Sequence, residues 1–148
     1  MSNTILVALN DSTSSERVVE SLVKLELCAK QFDFKLIHIL IRPAAGDELM
    51  GKKFMKEQPL RAQRMLDEAK EALALCGVDP SRVETEIVSE PCDTVADGII
   101  EVFEKGNYGM VVIGRKKMSK AEEFVLGDPS VRLVRALEGT SILVVKSS

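Results

Sequence analysis

The chain has 148 residues, of which 45% are hydrophobic and 29% are charged, a composition typical of one globular domain with its own core. Its net charge of −3 argues against a nucleic-acid binder, which needs a broad basic face. No apolar run approaches the roughly 20 residues of a membrane helix, and no basic leader precedes the first strand pattern, so we expect a cytoplasmic protein without a membrane anchor.

Five short apolar runs alternate with longer stretches of helical period, which predicts a parallel sheet covered by helices. The runs span residues 4–9, 34–41, 83–88, 110–113 and 142–145. The third run alternates charged with apolar residues, as in a half-exposed edge strand. The first run is apolar on both faces and should therefore lie in the centre of the sheet.

Helices are expected between these strands. The first begins with a capping box, Thr13 and Glu16, and carries apolar residues at steps of four, three and four. Those apolar positions are Val18, Leu22, Leu25 and Ala29. The second helix reaches Cys76 and ends at Gly77, and the segment 43–59 before it is predicted to be a loop with one short helical turn.

Two further helices follow in the second half of the chain. The third is expected to start near Pro91 and to stop at Gly106. The fourth begins at Asp128 and Pro129 and ends before Gly139. An aspartate followed by proline is typical of an N-cap with proline at the first helical position.

A glycine-bearing stretch follows the fourth strand. Ile113 precedes Gly114, a second glycine comes thirteen positions later at Gly127, and Asp128 and Ser130 follow. The stretch resembles the nucleotide-binding loop of the universal stress protein family, which reads Gly, two residues, Gly, nine residues, Gly, then Ser or Thr. Lys117 stands where that pattern has its second glycine, and Asp128 stands where it has the hydroxyl residue.

The resemblance runs from Thr4 to the end of the chain. The segment Ile5-Leu-Val-Ala-Leu-Asn-Asp-Ser12 is similar to the family's first strand and turn, Leu36-Ile-His-Ile39 to its second strand, and Ser141-Ile-Leu-Val-Val145 to its last. It implies a single domain over residues 1–148 with an open five-stranded parallel α/β sheet of order 3-2-1-4-5 and helices on both faces. This is a Rossmann-like fold of the adenine nucleotide alpha hydrolase-like type. It also implies a homodimer that pairs through the C-terminal strand, with a protein partner that the sequence does not identify.

The resemblance also implies a nucleotide site between the first and fourth strands, where an open α/β sheet binds ligands. It assigns the base slot to Ala8, Asn10, Ile39 and Ile113. It assigns the phosphate and ribose side to Gly114, Lys117, Gly127, Asp128 and Ser130. The ligand it implies is ATP or AMP, with magnesium for a triphosphate, and no cofactor is required.

Lys117 and Asp128 leave more than one function open. In our first hypothesis the chain is a non-catalytic regulatory domain with an altered or lost ATP site, in which Lys117 pairs with Asp128. In the second it is a functional ATP or AMP sensor whose phosphate contacts come from a basic loop. That loop contains Arg115, Lys116, Lys117 and Lys120. Slow hydrolysis of ATP stays open in this hypothesis.

The remaining reactive side chains favour packing roles. Cys28 and Cys76 fall near the ends of apolar stripes, and His38 lies in the middle of a strand, as a core residue does. Cys92 follows Pro91 at a predicted helix start, where the dipole can lower the pKa of a thiol, so a redox-responsive module is a third hypothesis. No metal-ligand spacing is present.

Overall fold

The computed structural model describes residues 3–10, 12–29, 31–41, 52–115, 119–121, 124 and 128–146. The strands are β1 Thr4–Ala8, β2 Asp33–Ile41, β3 Val83–Cys92, β4 Met110–Arg115 and β5 Ser141–Lys146. The helices are α1 Ser12–Lys24, α2 Lys52–Leu75, α3 Val95–Lys105 and α4 Pro129–Ala136.

The five strands form one parallel sheet in the order β3-β2-β1-β4-β5, as the sequence predicts. The central place of β1 and the edge position of β3 are both confirmed. On that edge, Lys35 of β2 forms ion pairs with Glu84 at 2.8 Å and Glu86 at 3.0 Å. Every connection between neighbouring strands must cross over the sheet, because parallel strands cannot be joined by a hairpin.

Helices cover both faces, and each face encloses its own core. Alternate residues of the central strands point to opposite faces, which divides their apolar side chains between two clusters. One cluster joins β1, β2 and β4 to α1 and α2, through residues such as Val18, Leu22 and Leu66. The other joins the same strands to α3 and α4, through residues such as Ile99 and Leu133.

The first helix is shorter than its apolar stripe predicts. It begins at Ser12, although the predicted capping box places the N-cap at Thr13, and it ends at Lys24. Leu25 is 55% exposed, and Glu26 adopts a left-handed backbone conformation with φ of 58°, which no α-helix can continue. A 3-10 turn over Leu27–Ala29 then returns Cys28 to the core.

The second helix is longer than predicted, and the expectation of a loop is wrong for residues 52–59. Pro59 lies inside α2, where it removes one backbone hydrogen bond. The helix continues because its apolar stripe is buried against the sheet, with Ala62, Leu66 and Leu73 each at most 4% exposed. Residues 42–51 lie outside the described part of the chain. Gly77, with φ of 104°, ends this region as the sequence predicts.

The third helix begins four residues later than predicted. Pro91 and Cys92 extend β3, and the N-cap of α3 is Thr94, whose Oγ1 accepts a hydrogen bond from the Asp97 N–H at 3.1 Å. Cys92 is therefore a buried strand residue paired with Ile41, two residues before the N-cap of α3 and not at a helix start as predicted. The predicted end at Gly106 is confirmed.

Candidate functional site

The candidate site lies at the carboxyl edge of the sheet, where β1 and β4 end side by side. Ala8 pairs with Ile113 in the parallel register between these strands. The chain leaves β1 toward α1 on one face, and it leaves β4 toward α4 on the other. The strand order reverses at this point, which is where open α/β sheets form a ligand-binding crevice.

Three of the predicted base-slot residues form the apolar floor of this edge. Ala8, Ile39 and Ile113 are 2%, 2% and 3% exposed and belong to the cluster shared with α3 and α4. Helix α3 packs closely on this floor, since a Cβ added to Gly98 would come within 2.5 Å of Ile39 Cγ2. The structure thus shows these three side chains as core residues, and any base contact is limited to the rim of their cluster.

The fourth base-slot residue, Asn10, is exposed and follows a tightly held backbone. The Leu9 N–H donates to the Ile37 carbonyl at 2.8 Å, and the Leu9 carbonyl accepts from His38 Nδ1 at 2.8 Å. Both backbone groups of Leu9 are therefore bound to β2. This arrangement fixes the exit of the chain from β1 and so the position of Asn10.

His38 is a core histidine, as predicted, and it is only 7% exposed. Its Nδ1 must carry the proton that is donated to the Leu9 carbonyl, because a carbonyl oxygen only accepts. Its Nε2 has no hydrogen-bond partner among the described residues. The role that the structure gives this side chain is to hold the end of β1.

Gly114 has a packing role that its place in the glycine pattern does not reveal. A Cβ at this position would lie 2.9 Å from Ser14 Cβ and 3.2 Å from Val18 Cγ2. Helix α1 therefore crosses β4 at a distance that only glycine allows. Ser14 and Val18 lie four residues apart on the same face of α1, and this spacing is the sequence signal for the contact.

Asp128 is the N-cap of α4, as predicted, with Pro129 in the first turn. Its Oδ1 accepts from the Ser130 N–H at 3.0 Å and from the Ser130 hydroxyl at 2.6 Å. Its Oδ2 forms an ion pair with Arg115 Nη2 at 2.7 Å. Among the described residues, the cation beside Asp128 is Arg115 at the end of β4, and the pairing of Asp128 with Lys117 stays a prediction. Lys117 lies outside the described residues.

The Asp128 carboxyl is held in its ionised form. Burial raises its pKa, but the hydroxyl and N–H of Ser130 and the charge of Arg115 outweigh burial, so the net pKa is lowered. Both partners are partly shielded from water, with 27% of the Arg115 side chain and 14% of the Asp128 side chain exposed. A negative charge therefore already occupies the helix N-terminus where an anionic ligand would bind.

A second arginine joins the starts of α3 and α4, and no pattern in the sequence had predicted this contact. Arg132 Nη1 donates to Thr94 Oγ1 at 3.1 Å, and its Nη2 pairs with Asp97 Oδ1. Hydrogen bonds with Thr94 and Arg132 lower the pKa of Asp97. The pair spans two helices, so its partners are 35 residues apart in the sequence and no local pattern connects them.

The described residues place most of the predicted site at one edge. Ala8, Ile39 and Ile113 form its floor, Asn10 is the second residue after β1, and Gly114 follows Ile113 within β4. The remaining described members are Asp128 and Ser130 at the start of α4. Gly127, like Lys117, lies outside the described residues.

In the described part of the chain, His, Cys, Asp and Glu form no cluster of three or more that could hold a metal ion. Within it, no helix has the length and apolar character to cross a membrane.

Comparisons with known proteins agree on one family. A model of the universal stress protein family matches residues 1–146. The fold is similar to that of the universal stress protein UspA from Lactobacillus plantarum, with 12% identity over 96% of each chain and a TM-score of 0.71. It is also similar to a universal stress protein in complex with cAMP, with 20% identity over 98% of this chain and 97% of that chain and a TM-score of 0.67. A universal stress protein from Archaeoglobus fulgidus in complex with dAMP is 16% identical over 97% of each chain, with a TM-score of 0.62. A search of the curated proteins found no match.

Proposed function

Because the chain belongs to the universal stress protein family, we propose that it is a non-catalytic regulatory domain whose phosphate position is filled by its own Arg115–Asp128 ion pair. The observation that carries this proposal is the state of Asp128, which is bound by Arg115 and by both donors of Ser130. The domain has no preference for a triphosphate over a nucleoside or a monophosphate, because its base slot is better preserved than its phosphate cradle.

Electrostatics favour this reading over a normal ATP site. A phosphate that approaches α4 meets the Asp128 carboxylate, and the repulsion is about 4 kcal/mol per unit charge at about 4 Å and an effective dielectric of about 20. Arg115 can turn toward a phosphate only by leaving Asp128, which uncovers that charge. The repulsion grows with the number of phosphate charges, so it weakens the binding of ATP more than that of AMP. It does not affect the binding of adenosine, which carries no phosphate.

The base side of the site makes a different contribution. The Asn10 side-chain carbonyl is an acceptor for the amino group of a purine, and the anchored Leu9 holds it at the rim of the apolar floor. We assign the base to this rim, beside Ala8, Ile39 and Ile113. The phosphate and ribose side comprises Gly114, Lys117, Gly127, Asp128 and Ser130.

Isothermal titration of four proteins with magnesium and ATP tests this assignment. The proteins are the wild type, Lys117→Gly, Asp128→Ser and the double variant. Each single change leaves one defect, so the double variant should gain more ATP affinity than the two single gains added, by about 0.5 to 3 kcal/mol. Additive gains would show that the two residues act independently and would contradict the predicted coupling, and no gain in any variant would show that they do not block the phosphate position.

A functional nucleotide sensor is the second candidate. Universal stress proteins of similar fold have solved structures in complex with cAMP and with dAMP. A guanidinium at the end of β4 has the fork geometry that phosphates accept. In this reading Arg115 exchanges Asp128 for the ligand. Arg115→Gln then abolishes a preference of the wild type for ATP over adenosine, whereas in our first reading the wild type has no such preference. A phosphate-release assay on the wild type measures any slow ATP hydrolysis.

We also propose that two copies associate through β5. This strand is paired only on its β4 side, and its apolar residues from Ile142 to Val145 are half-buried. Helix α4 packs beside it and exposes 44% of Val131 and 63% of Val134. An unprotected apolar edge favours strand pairing with a second chain.

Light scattering at micromolar concentration measures this assembly. We expect a dimer for the wild type and a monomer for Val134→Lys, which places a charge in the proposed interface. Leu75→Lys is the matched control, because Leu75 is 84% exposed at the far end of α2. A monomeric wild type, or a dimer that survives Val134→Lys, would remove the proposal.

A further inference from the structure

Two of the three cysteines lie at the amino edge of the sheet, on the α1–α2 face and opposite the candidate nucleotide site. Cys28 is in the 3-10 turn after α1, and Cys76 is the first residue after α2. Both helices run back toward the start of the next strand, so their ends meet at this edge. The Cys28 thiol is 8% exposed, whereas Cys76 is exposed to solvent.

A cavity of about 210 Å³ connects the two turns. Cys28 lines it from the α1 side, and Gly77 and Val78, which directly follow Cys76, line it from the α2 side. Val78 and Cys28 also belong to the same buried cluster. The turn that carries Cys76 is therefore held against the turn that carries Cys28.

The electrostatics of Cys28 agree with the placement of both turns on one cavity. Burial raises the pKa of the Cys28 thiol, and the neighbouring Cys76 raises that pKa further. Cys76 is the thiol that a soluble oxidant reaches first, because it is the exposed member of the pair. Gly77 follows it with a left-handed backbone, and a Cβ added there would meet nothing within 4 Å, so the turn has open space around it.

We propose that Cys28 and Cys76 form a redox-responsive thiol pair that closes to an intramolecular disulfide with small-molecule disulfides. The Cys76 thiolate attacks one sulfur of the oxidant, which forms a mixed disulfide and releases one thiolate. The Cys28 thiolate then attacks Cys76 Sγ and expels the second thiolate. The protein loses two protons and two electrons, and the oxidant is reduced to two thiols.

The cross-link ties the end of α1 to the end of α2 and closes a loop that contains β2 and all of α2. Such a loop restricts the unfolded chain, so the oxidised protein should melt at a higher temperature than the reduced protein. The proposal does not depend on nucleotide binding. It also differs from a redox role for Cys92, which is buried at the end of β3 on the other face.

Oxidised glutathione and the full chain test the pair. Wild type and Cys92→Ser, the matched control, should each lose two hydrogens in a non-reducing intact-mass measurement, and peptide mapping should join Cys28 to Cys76. Cys28→Ser should stop with one glutathione on Cys76, and Cys76→Ser should remain unmodified. Cys28→Ala serves in place of Cys28→Ser if the serine variant fails to fold.

The wild-type result alone can overturn the proposal. A stable glutathione adduct on Cys76 without a cross-link shows that Cys28 does not reach it. A disulfide that includes Cys92, or one that links two copies of the chain, equally contradicts an intramolecular Cys28–Cys76 pair. An unchanged melting temperature after verified cross-linking contradicts the expected restriction of the unfolded chain.

Discussion

The two sides of the carboxyl-edge crevice are built in different ways. On the β1–β2 side, the Leu9 N–H donates to the Ile37 carbonyl and His38 Nδ1 donates to the Leu9 carbonyl, which fixes the backbone and leaves Asn10 exposed to solvent. On the β4–α4 side, the charged side chains face one another, and Arg115 and Asp128 satisfy each other. We propose that the β1–β2 side keeps the frame of a nucleotide pocket, while the Arg115–Asp128 ion pair on the β4–α4 side takes the place of the ligand's charge.

The largest expected effect comes from Gly114, which serves either to let α1 pack closely on β4 or to admit a phosphate. Gly114→Val should destabilise the fold by about 3 kcal/mol, because the new side chain meets Ser14 and Val18 of α1. Urea unfolding at neutral pH measures this loss. If Gly114 served only to admit a phosphate, the variant would retain wild-type stability and lose only ligand affinity.

Removing Asp128 should separate stability from binding. Asp128→Ala deletes the N-cap of α4 and leaves the Arg115 charge without this partner, so we expect a loss of about 2 kcal/mol. The same change should strengthen binding of ATP relative to adenosine, because it removes the repelling carboxylate. Urea unfolding and calorimetry on one preparation measure both effects. A variant that loses affinity for ATP would reverse our comparison of the two sides.

His38 provides the corresponding test on the β1–β2 side. His38→Phe removes the donor to the Leu9 carbonyl and should cost about 1 to 2 kcal/mol, since that buried carbonyl loses its partner. His38→Asn keeps a donor near the position of Nδ1 and should recover part of the loss. A purely structural role of His38 would leave adenosine affinity unchanged. If His38 positions Asn10, adenosine affinity should fall in His38→Phe and recover in His38→Asn. Equal adenosine affinity in all three proteins would show that the end of β1 does not position Asn10 for a ligand.

The smallest expected effect is a dependence on acid pH. The folded-state pKa of Asp128 is lowered below the unfolded value of about 3.9, so its contribution to stability is full above that value and is lost as the pH falls through the folded pKa. Asp128→Asn retains a capping oxygen without the charge. Its stability should therefore be lower than that of the wild type at neutral pH, and the difference should narrow as the pH falls below the unfolded-state pKa and through the lowered folded-state pKa of Asp128.

Unfolding by urea between pH 7 and pH 3 follows this narrowing. Asp97→Asn is the control, because Asp97 pairs with Arg132 in a more exposed position, where ion pairs contribute under about 1 kcal/mol. A constant difference between wild type and Asp128→Asn across this range would mean that the charge of Asp128 does not stabilise the fold.

The sequence predicted the sheet well, because strand order follows from a family resemblance that extends over the chain. It failed where local signals conflicted with packing, as at Pro59, which lies inside α2, and at Pro91, which extends β3. It identified Asp128 as an N-cap, since Asp followed by Pro is a local pattern. It did not select Arg115 as the cation beside Asp128, because four basic residues lie in that stretch and only the direction of the strand end decides which one is close.

The central claim is that the ion pair of Arg115 and Asp128 occupies the phosphate position, and the most direct test is the ratio of two affinities in the wild type. Calorimetric titration with adenosine and with magnesium and ATP gives both dissociation constants under one set of conditions. We predict that ATP binds no more tightly than adenosine. A low micromolar dissociation constant for ATP with a preference of about tenfold or more over adenosine, which corresponds to about 1.4 kcal/mol, would contradict the account.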